Sequence, residues 1–423
     1  MKIPLSKLPA PRELAHRLYL AGEEFVALLE SGQGFAERAR YTLVAWGVER
    51  AYVASGPDLQ QVLYEAQRSL RRDGGPFGGE VAIGALTYEA AYYLEPHLLR
   101  YGKMDRGVPA AFLVVPAGYL VYDKLLGRGY LRGELPKLPA AGGGGVEVKG
   151  PVAATEPRRF MQWVAEAKRR IEEGEILQVV LSRWVEYEAR GDLFRLYNAL
   201  AEGNPSPYMY FLKYGDIHMV GTSPELLVEV SNGTVETHPI AGTRPRGGTE
   251  EEDLALEEDM LSDEKELAEH IMLVDLARND VGRVCQVGSV RVEELFAVEK
   301  YSKVQHIVSR VWCLLDRRFS PVDALLATHP AGTVSGAPKV RAMEIIAELE
   351  DAPRGFYAGA VGFMSPATLE FAIVIRTMIG RGERLRIQAG AGVVYDSTPE
   401  RELRETESKL SALKTVLEGG PWI

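Results

Sequence analysis

Cysteine is nearly absent. The 423 residues hold only Cys285 and Cys313, in neither a metal-ligand nor a redox spacing, which predicts a reduced protein with no disulfide framework and no zinc knuckle. Basic charge is in deficit, with 49 Lys and Arg against 59 Asp and Glu and a formal charge of −10; this argues against nucleic acid as a partner. Long apolar runs are missing too. The longest uncharged stretch, Gly107 to Tyr122, contains Pro109, Pro116 and Gly118 and is too short and too broken to cross a bilayer, so no membrane partner is expected. The first residues, MKIPLSKLPAPRELAHR, contain no continuous apolar segment before their first charges; the expectation is a cytoplasmic protein. The seven histidines include no His-x-x-x-His pair, which disfavours a zinc hydrolase. Thermolabile amides are also few, 4 Asn and 9 Gln, a weak sign of a hot environment.

What is present is ordinary globular material, 46% apolar and 26% charged, enough for two or three domains or one large one. Residues 1–135 alternate short apolar runs with Gly and Pro, as antiparallel strands do, around a helical stretch from Asp58 to Arg72. Residues 136–157 concentrate Pro, Gly and Ala and read as a linker or loop, leaving 158–423 as a second region. There, Thr155 is placed to cap a helix that opens at Pro157, carries Phe160, Val164, Ala167 and Ile171 on one face and ends at Gly174. Asn232-Gly233 between alternating runs predicts a hairpin. A second hairpin is expected where FAIVIRTMI, read as one strand, turns through Gly380 to Gly382 into RLRIQAGAGVV. An acidic helical block from Glu250 to Arg278 and helices after Pro338 and Pro399 complete the pattern. Runs of strands with inserted helices predict an α+β fold with antiparallel sheets.

Two Glu-x-x-Glu pairs, Glu266/Glu269 and Glu402/Glu405, each put two carboxylates on one helix face. They suit either solvated acidic surface or hard-oxygen ligation of magnesium. The glycine-rich stretches AGTRPRGG, AGTVSGAPK and QAGAGVV suit tight turns or the binding of a carboxylate or small anion; none has the spacing of a nucleotide loop. His306 lies in strand-like alternation, where a core or edge role competes with catalysis. Arg376, set in an apolar run, needs a carboxylate partner, which a substrate could supply.

Read in order, ILQVVLSR, HPIAGTRPRG, EKELAEHIMLVDLARNDVGRV, VQHIVSRV, HPAGTVSGAPKVRAMEII, RGFYAGAVG, AIVIRTM, IQAGAGVV and ETESK closely resemble the chorismate-utilising enzyme family, and within it the large subunits of anthranilate synthase. The resemblance covers Glu156 to Leu417 strongly and the first third thinly. It implies a large antiparallel β-sandwich with peripheral helices, acting on chorismate and ammonia to give anthranilate and pyruvate in the first step of tryptophan biosynthesis. By position it implies magnesium on Glu269 and Glu405, Glu266 as the acid for the departing hydroxyl, and His306 and Thr333 as further catalytic groups. Substrate contacts would come from Gln178, Thr243, Tyr357, Arg376, Gly390, Ala391, Gly392 and Lys409. Ammonia would come from a glutamine amidotransferase subunit, component II, since neither cysteine has a nucleophile's setting. Leu29, Glu30 and Ser31 with Pro205, Ser206, Pro207, Tyr208 and Met209 resemble the two halves of a site for L-tryptophan as feedback inhibitor.

Two positions separate relatives. Aminodeoxychorismate synthases, the nearest alternative, commonly carry a nucleophilic Lys where this chain has Ala241, and isochorismate synthases a basic Lys where it has Gln178. Leu403 departs from an expected Tyr and bears only on local packing.

Overall fold

Alternation of side chains along strands dictates the layers. In the strand Phe25–Glu30, Phe25 and Ala27 face one way and Val26 and Leu28 the other, and all four are fully buried. The first pair enters a core with Leu43, Ile83, Phe112, Tyr210 and Phe363, between two sheets. The second enters a core beneath the helices Pro11–Leu20, Phe194–Gly203 and Pro399–Glu418, through Leu14, Phe194, Tyr197 and Leu410. A third core runs beneath the remaining helices, around Leu63, Val164, Leu325 and Ile346. The result is an α+β sandwich of a 12-stranded and a 10-stranded sheet, every strand pairing antiparallel, with helices outside. This computed structural model describes residues 2–32, 40–105, 107–139, 142–301 and 304–419.

Both sheets mix strands from either side of residues 136–157. Phe25–Glu30 pairs with Tyr208–Tyr214 in one, and Ala82–Leu86 pairs with Ala360–Met364 in the other. The expected linker itself contains a strand, Val146–Ala154, paired with Gln178–Gly191; a partner strand supplies the order that its own composition does not. The helix Pro157–Glu172 forms as expected and Gly174 follows it at φ +81. Thr155, however, does not cap it: its hydroxyl accepts from the Trp184 amide at 3.3 Å. The Asn232-Gly233 hairpin joins Leu226–Ser231 to Thr234–Thr237 with both turn residues at positive φ. The acidic block is two helices, Glu250–Ser262 and Glu264–Gly282, with Asp263 capping the second through the amides of Lys265 and Glu266.

Three further expectations change. FAIVIRTMI is not one strand: Thr368–Ile373 belongs to the 10-stranded sheet and Thr377–Arg381 to the 12-stranded one, with Arg376 at φ +49 in the step between. QAGAGVV makes no turn, because Gly390 and Gly392 lie within the strand Arg384–Val393. The cysteines are not reduced thiols; Cys285 and Cys313 are joined as a disulfide. A bridge between Cys285 and Leu315 draws the end of the helix region to the strand Val304–Leu314 and sets the two Cα atoms 6.0 Å apart, within disulfide reach.

Candidate active site

At one end of the sandwich two chain segments step side by side from one sheet to the other. The first, Ser223 to Leu226, follows Ile217–Ser223; the second is the break at Val374 to Arg376. They are tied by backbone bonds from Ile373 N–H to the Glu225 carbonyl (3.1 Å) and from Thr222 N–H to the Arg376 carbonyl (3.2 Å). These corners hold the Glu225 and Arg376 side chains. A non-glycine residue at φ +49 costs about 1–3 kcal/mol, which the surrounding structure sustains. Glu225 is 6% exposed, and burial pushes its carboxyl up to about 8 against the pull of Thr333, the Ile240 amide, Lys409 and Arg376. Thr333 stands close enough to weigh on that charge but outside hydrogen-bond geometry, so its buried hydroxyl has no partner. Burial lowers Arg376 too, opposed by Tyr301 and Glu225, and its side chain makes no hydrogen bond or ion pair among the described residues.

His306 lies on the strand Val304–Leu314. Its Nδ1 stands 2.9 Å from the Gly242 carbonyl and 3.0 Å from Thr243 Oγ1. A carbonyl can only accept, so Nδ1 carries the hydrogen and Nε2, buried and unpartnered, carries the lone pair. Burial, then the nearby Arg376, lowers this imidazole to about 4, so it is neutral at physiological pH. Beyond it, the strands Gln178–Gly191 and Arg384–Val393 form a floor with two gaps in it. A Cβ on Gly390 would lie 2.9 Å from the Tyr357 hydroxyl, and one on Gly392 would lie 2.8 Å from Gln178 Nε2. Glycine therefore lets these polar groups reach the sheet, with Ala391 between them. Lys409 closes this side, donating to the Gly390 carbonyl (2.9 Å) and to Glu405 (2.7 Å).

Acidic side chains gather on the helices Glu264–Gly282 and Pro399–Glu418. Glu269 is raised by burial and then by the charges of Glu266 and Glu405, against Lys265; Glu402 is raised by burial and by Glu405. Glu266 accepts from Arg244 at 3.1 Å and lies against the Gly242-Thr243 turn that His306 also touches. Crowded carboxylate oxygens that raise one another's protonation suit a hard divalent cation. Among the described residues no three His, Cys, Asp or Glu converge as ligands of one ion. Glu269 and Glu405 would therefore share it with water or substrate oxygen, as magnesium commonly requires.

The segments expected to bind an inhibitor also meet, on two central, paired strands of the 12-stranded sheet. Met209 pairs with Glu30, Tyr210 with Leu29, and Gly32 N–H donates to the Ser206 carbonyl at 2.9 Å. Glu30 accepts from Arg12 and from the Tyr197 hydroxyl, each at 2.6 Å. Met209 faces the helix-covered core, and Tyr208, one residue earlier, the opposite face. Gly32 packs tightly on Pro205, while Ser31 and Leu29 stay partly exposed and Ser206 and Pro207 are buried.

The profile described as chorismate binding enzyme matches residues 25–415. The chain belongs to that family. It is 46% identical to an anthranilate synthase component 1 from Aeropyrum pernix, over 98% of this chain and 95% of that one. It is 44% identical to one from Saccharolobus solfataricus, over 98% of both. The crystal structure of anthranilate synthase component I from Streptococcus pneumoniae superposes with a TM-score of 0.78 at 36% identity, covering 90% of this chain and 92% of that one. A menaquinone-specific isochorismate synthase from Escherichia coli, 21% identical with a TM-score of 0.77, shares the fold.

Sequence reasoning missed Glu225. Its signal is of the same kind as that of Arg376, an ionisable residue next to an apolar strand, but it stands just before Leu226 to Val230, the arm that the Asn232-Gly233 hairpin marks.

Proposed function

We propose that this chain is the chorismate-converting subunit of an anthranilate synthase, joining ammonia to chorismate and releasing anthranilate and pyruvate. The observation that carries the reading is a buried, proton-holding Glu225 beside unpaired Arg376 and neutral His306, in a family member with Ala241 and Gln178 where aminodeoxychorismate and isochorismate synthases commonly carry lysine. Arg376 binds the enolpyruvyl carboxylate, and Tyr357, Gln178 and the Gly390 to Gly392 floor position the ring. Glu225, rather than the Arg244-bound Glu266, supplies the proton that lets a poor hydroxide leaving group depart as water. His306 Nε2, fixed by Gly242 and Thr243, takes the ring proton in the elimination. Lys409 orients Glu405 against the floor. Glu269 and Glu405 would hold a magnesium ion, whose positive charge would anchor the ring carboxylate.

Neither cysteine is available as a glutaminase nucleophile, since both are in the disulfide. The chain therefore uses free ammonia and draws on a separate glutamine amidotransferase subunit when glutamine is the donor. L-tryptophan at the Glu30 and Ser206 junction inhibits it. Chorismate incubated with the purified chain, magnesium and ammonium should yield a fluorescent product with the mass of anthranilate. A para-aminated product, or none, would refute the reading. Calorimetry that detects no tryptophan binding would remove the inhibitor site alone.

A further inference from the structure

Glu225 walls a second space besides the cluster just described. A cavity of about 30 Å3 lies between it and the helix Glu264–Gly282, bounded by Thr237, Leu273, Leu276, Ala277, Asp280 and Thr333. That is room for one or two water-sized molecules. Its lining is not indifferent to what fills it. Asp280 is 4% exposed; its Oδ2 accepts from Lys339 at 2.5 Å, while Oδ1 has no partner. The Thr333 hydroxyl is buried and equally unpartnered. An apolar occupant would leave both atoms unsatisfied, each at a cost of about 1–3 kcal/mol. A molecule that donates to a carboxylate oxygen and also exchanges hydrogen bonds with a hydroxyl and a protonated carboxyl satisfies all three walls, and water is the smallest that does.

We propose that this cavity is the niche for the leaving group, receiving the water formed when the ring hydroxyl departs beside Glu225. The inference rests on the function proposed above. The C–O bond breaks with its electron pair on oxygen, which takes the Glu225 proton, giving water and the Glu225 carboxylate. Ammonia forms the C–N bond and sheds one proton, which returns to Glu225, so that ammonia and a hydroxyl become an amine and water with no oxidant or reductant. Water in the niche donates to Asp280 Oδ1 and to the transient Glu225 anion while bonding the Thr333 hydroxyl. Lys339, held on Asp280, keeps that carboxylate an acceptor pointed at the space. Asp280 and Ala277 thus act through Glu225 as positioning residues and touch no substrate.

The unmodified chain is first assayed with chorismate, magnesium and ammonium; failure to form anthranilate at this stage counts against the proposed function, not against the niche. A high-resolution crystal structure of the full chain should show an ordered water within hydrogen-bond distance of both Asp280 Oδ1 and Thr333 Oγ1, and a dry cavity overturns the proposal. Ala277→Val, which fills the space from the helix, should lower kcat about tenfold while leaving the chorismate KM and magnesium affinity within about twofold. An unchanged kcat in a folded Ala277→Val protein whose structure shows the cavity filled also overturns it. If that variant does not fold, the water in the unmodified structure decides alone.

Discussion

The two halves of the site reach their electrostatic state by different routes. Glu225 and His306 are set into the end wall of the sandwich, where burial, helped at His306 by the charge of Arg376, favours their neutral forms, an acid at about 8 and a base at about 4. The carboxylates of Glu266, Glu269, Glu402 and Glu405 stand on two helices at the rim, where Glu269 and Glu402 are raised by burial and in part by the charges of these neighbours. The acid–base pair of the wall is complete as folded, because a neutral acid and a neutral base need no counter-charge; only Arg376 beside them awaits one. The rim is not: its mutual repulsion is a folding cost that a cation or an added proton relieves. Burial thus suits the proposed proton transfer, and crowding the proposed ion binding.

The largest effect should come from breaking the wall. Glu225→Gln keeps size and hydrogen bonding but holds no transferable proton, so kcat should fall about 10²–10⁴-fold with the chorismate KM little changed. A loss spread equally into KM would mean that Glu225 binds rather than protonates. The unmodified rate should decline as pH rises through about 8, where the carboxyl loses its proton. Stability runs in the same direction. The folded chain keeps a proton between about 4.5 and about 8 that the unfolded chain has released, so this group's contribution falls as pH rises across that window. Denaturant titrations of Glu225→Gln should lack that part of the slope.

Breaking the rim should produce the opposite pairing of activity and stability. Glu269→Gln and Glu405→Gln each remove a negative charge from the cluster, so magnesium affinity and rate should drop by about tenfold or more. In metal-free buffer, Glu269→Gln should melt no lower than the parent, because a raised carboxyl is a strained one. Calorimetric magnesium binding that survives in both variants would show the rim to be solvated surface and nothing more.

How legible these halves were in the sequence differs for the same physical reason. The rim was visible as Glu-x-x-Glu, since helical spacing alone puts both carboxylates on one face, and the Asn232-Gly233 hairpin and the helix after Pro157 were equally local. The wall was not. Glu225 owes its character to burial between a sheet corner and a helix distant in sequence, which no spacing encodes. Arg376 was noticed as a misfit in an apolar run, yet the run carries no glycine or proline to mark the step between sheets; φ +49 at an arginine is imposed by the two sheets. The strand within 136–157 escaped because its order comes from the Gln178–Gly191 partner and not from its own residues.

A smaller effect sharpens the wall's other half. A solvated imidazole would give an acid limb near 6.5, whereas His306, lowered to about 4, should leave kcat flat from pH 5 to pH 7. His306→Gln should cost about 10²-fold in kcat and leave the profile equally flat from pH 5 to pH 7. An acid limb near 6.5 that disappears in this variant would show that burial does not govern this group and would collapse the comparison on the base side.

The smallest catalytic effect should come from uncoupling the halves. The helix Glu264–Gly282 carries Glu266 and Glu269, the strand Val304–Leu314 carries His306, and the Cys285–Cys313 disulfide ties the end of the first to the second with both cysteines buried. Its loop spans 28 residues of separation, for which chain entropy implies about 3.6 kcal/mol of stabilisation. Replacing both cysteines by alanine should therefore lower Tm by a few degrees. The rate should change by less than about twofold, because Asp263 caps the helix start and the bonds of His306 to Gly242 and Thr243 hold the site from the far end. Thermal unfolding and kcat measured on the same double variant test this together. If kcat falls with Tm, the wall and the rim are not independently supported, and the bridge is a component of the active site rather than a staple behind it.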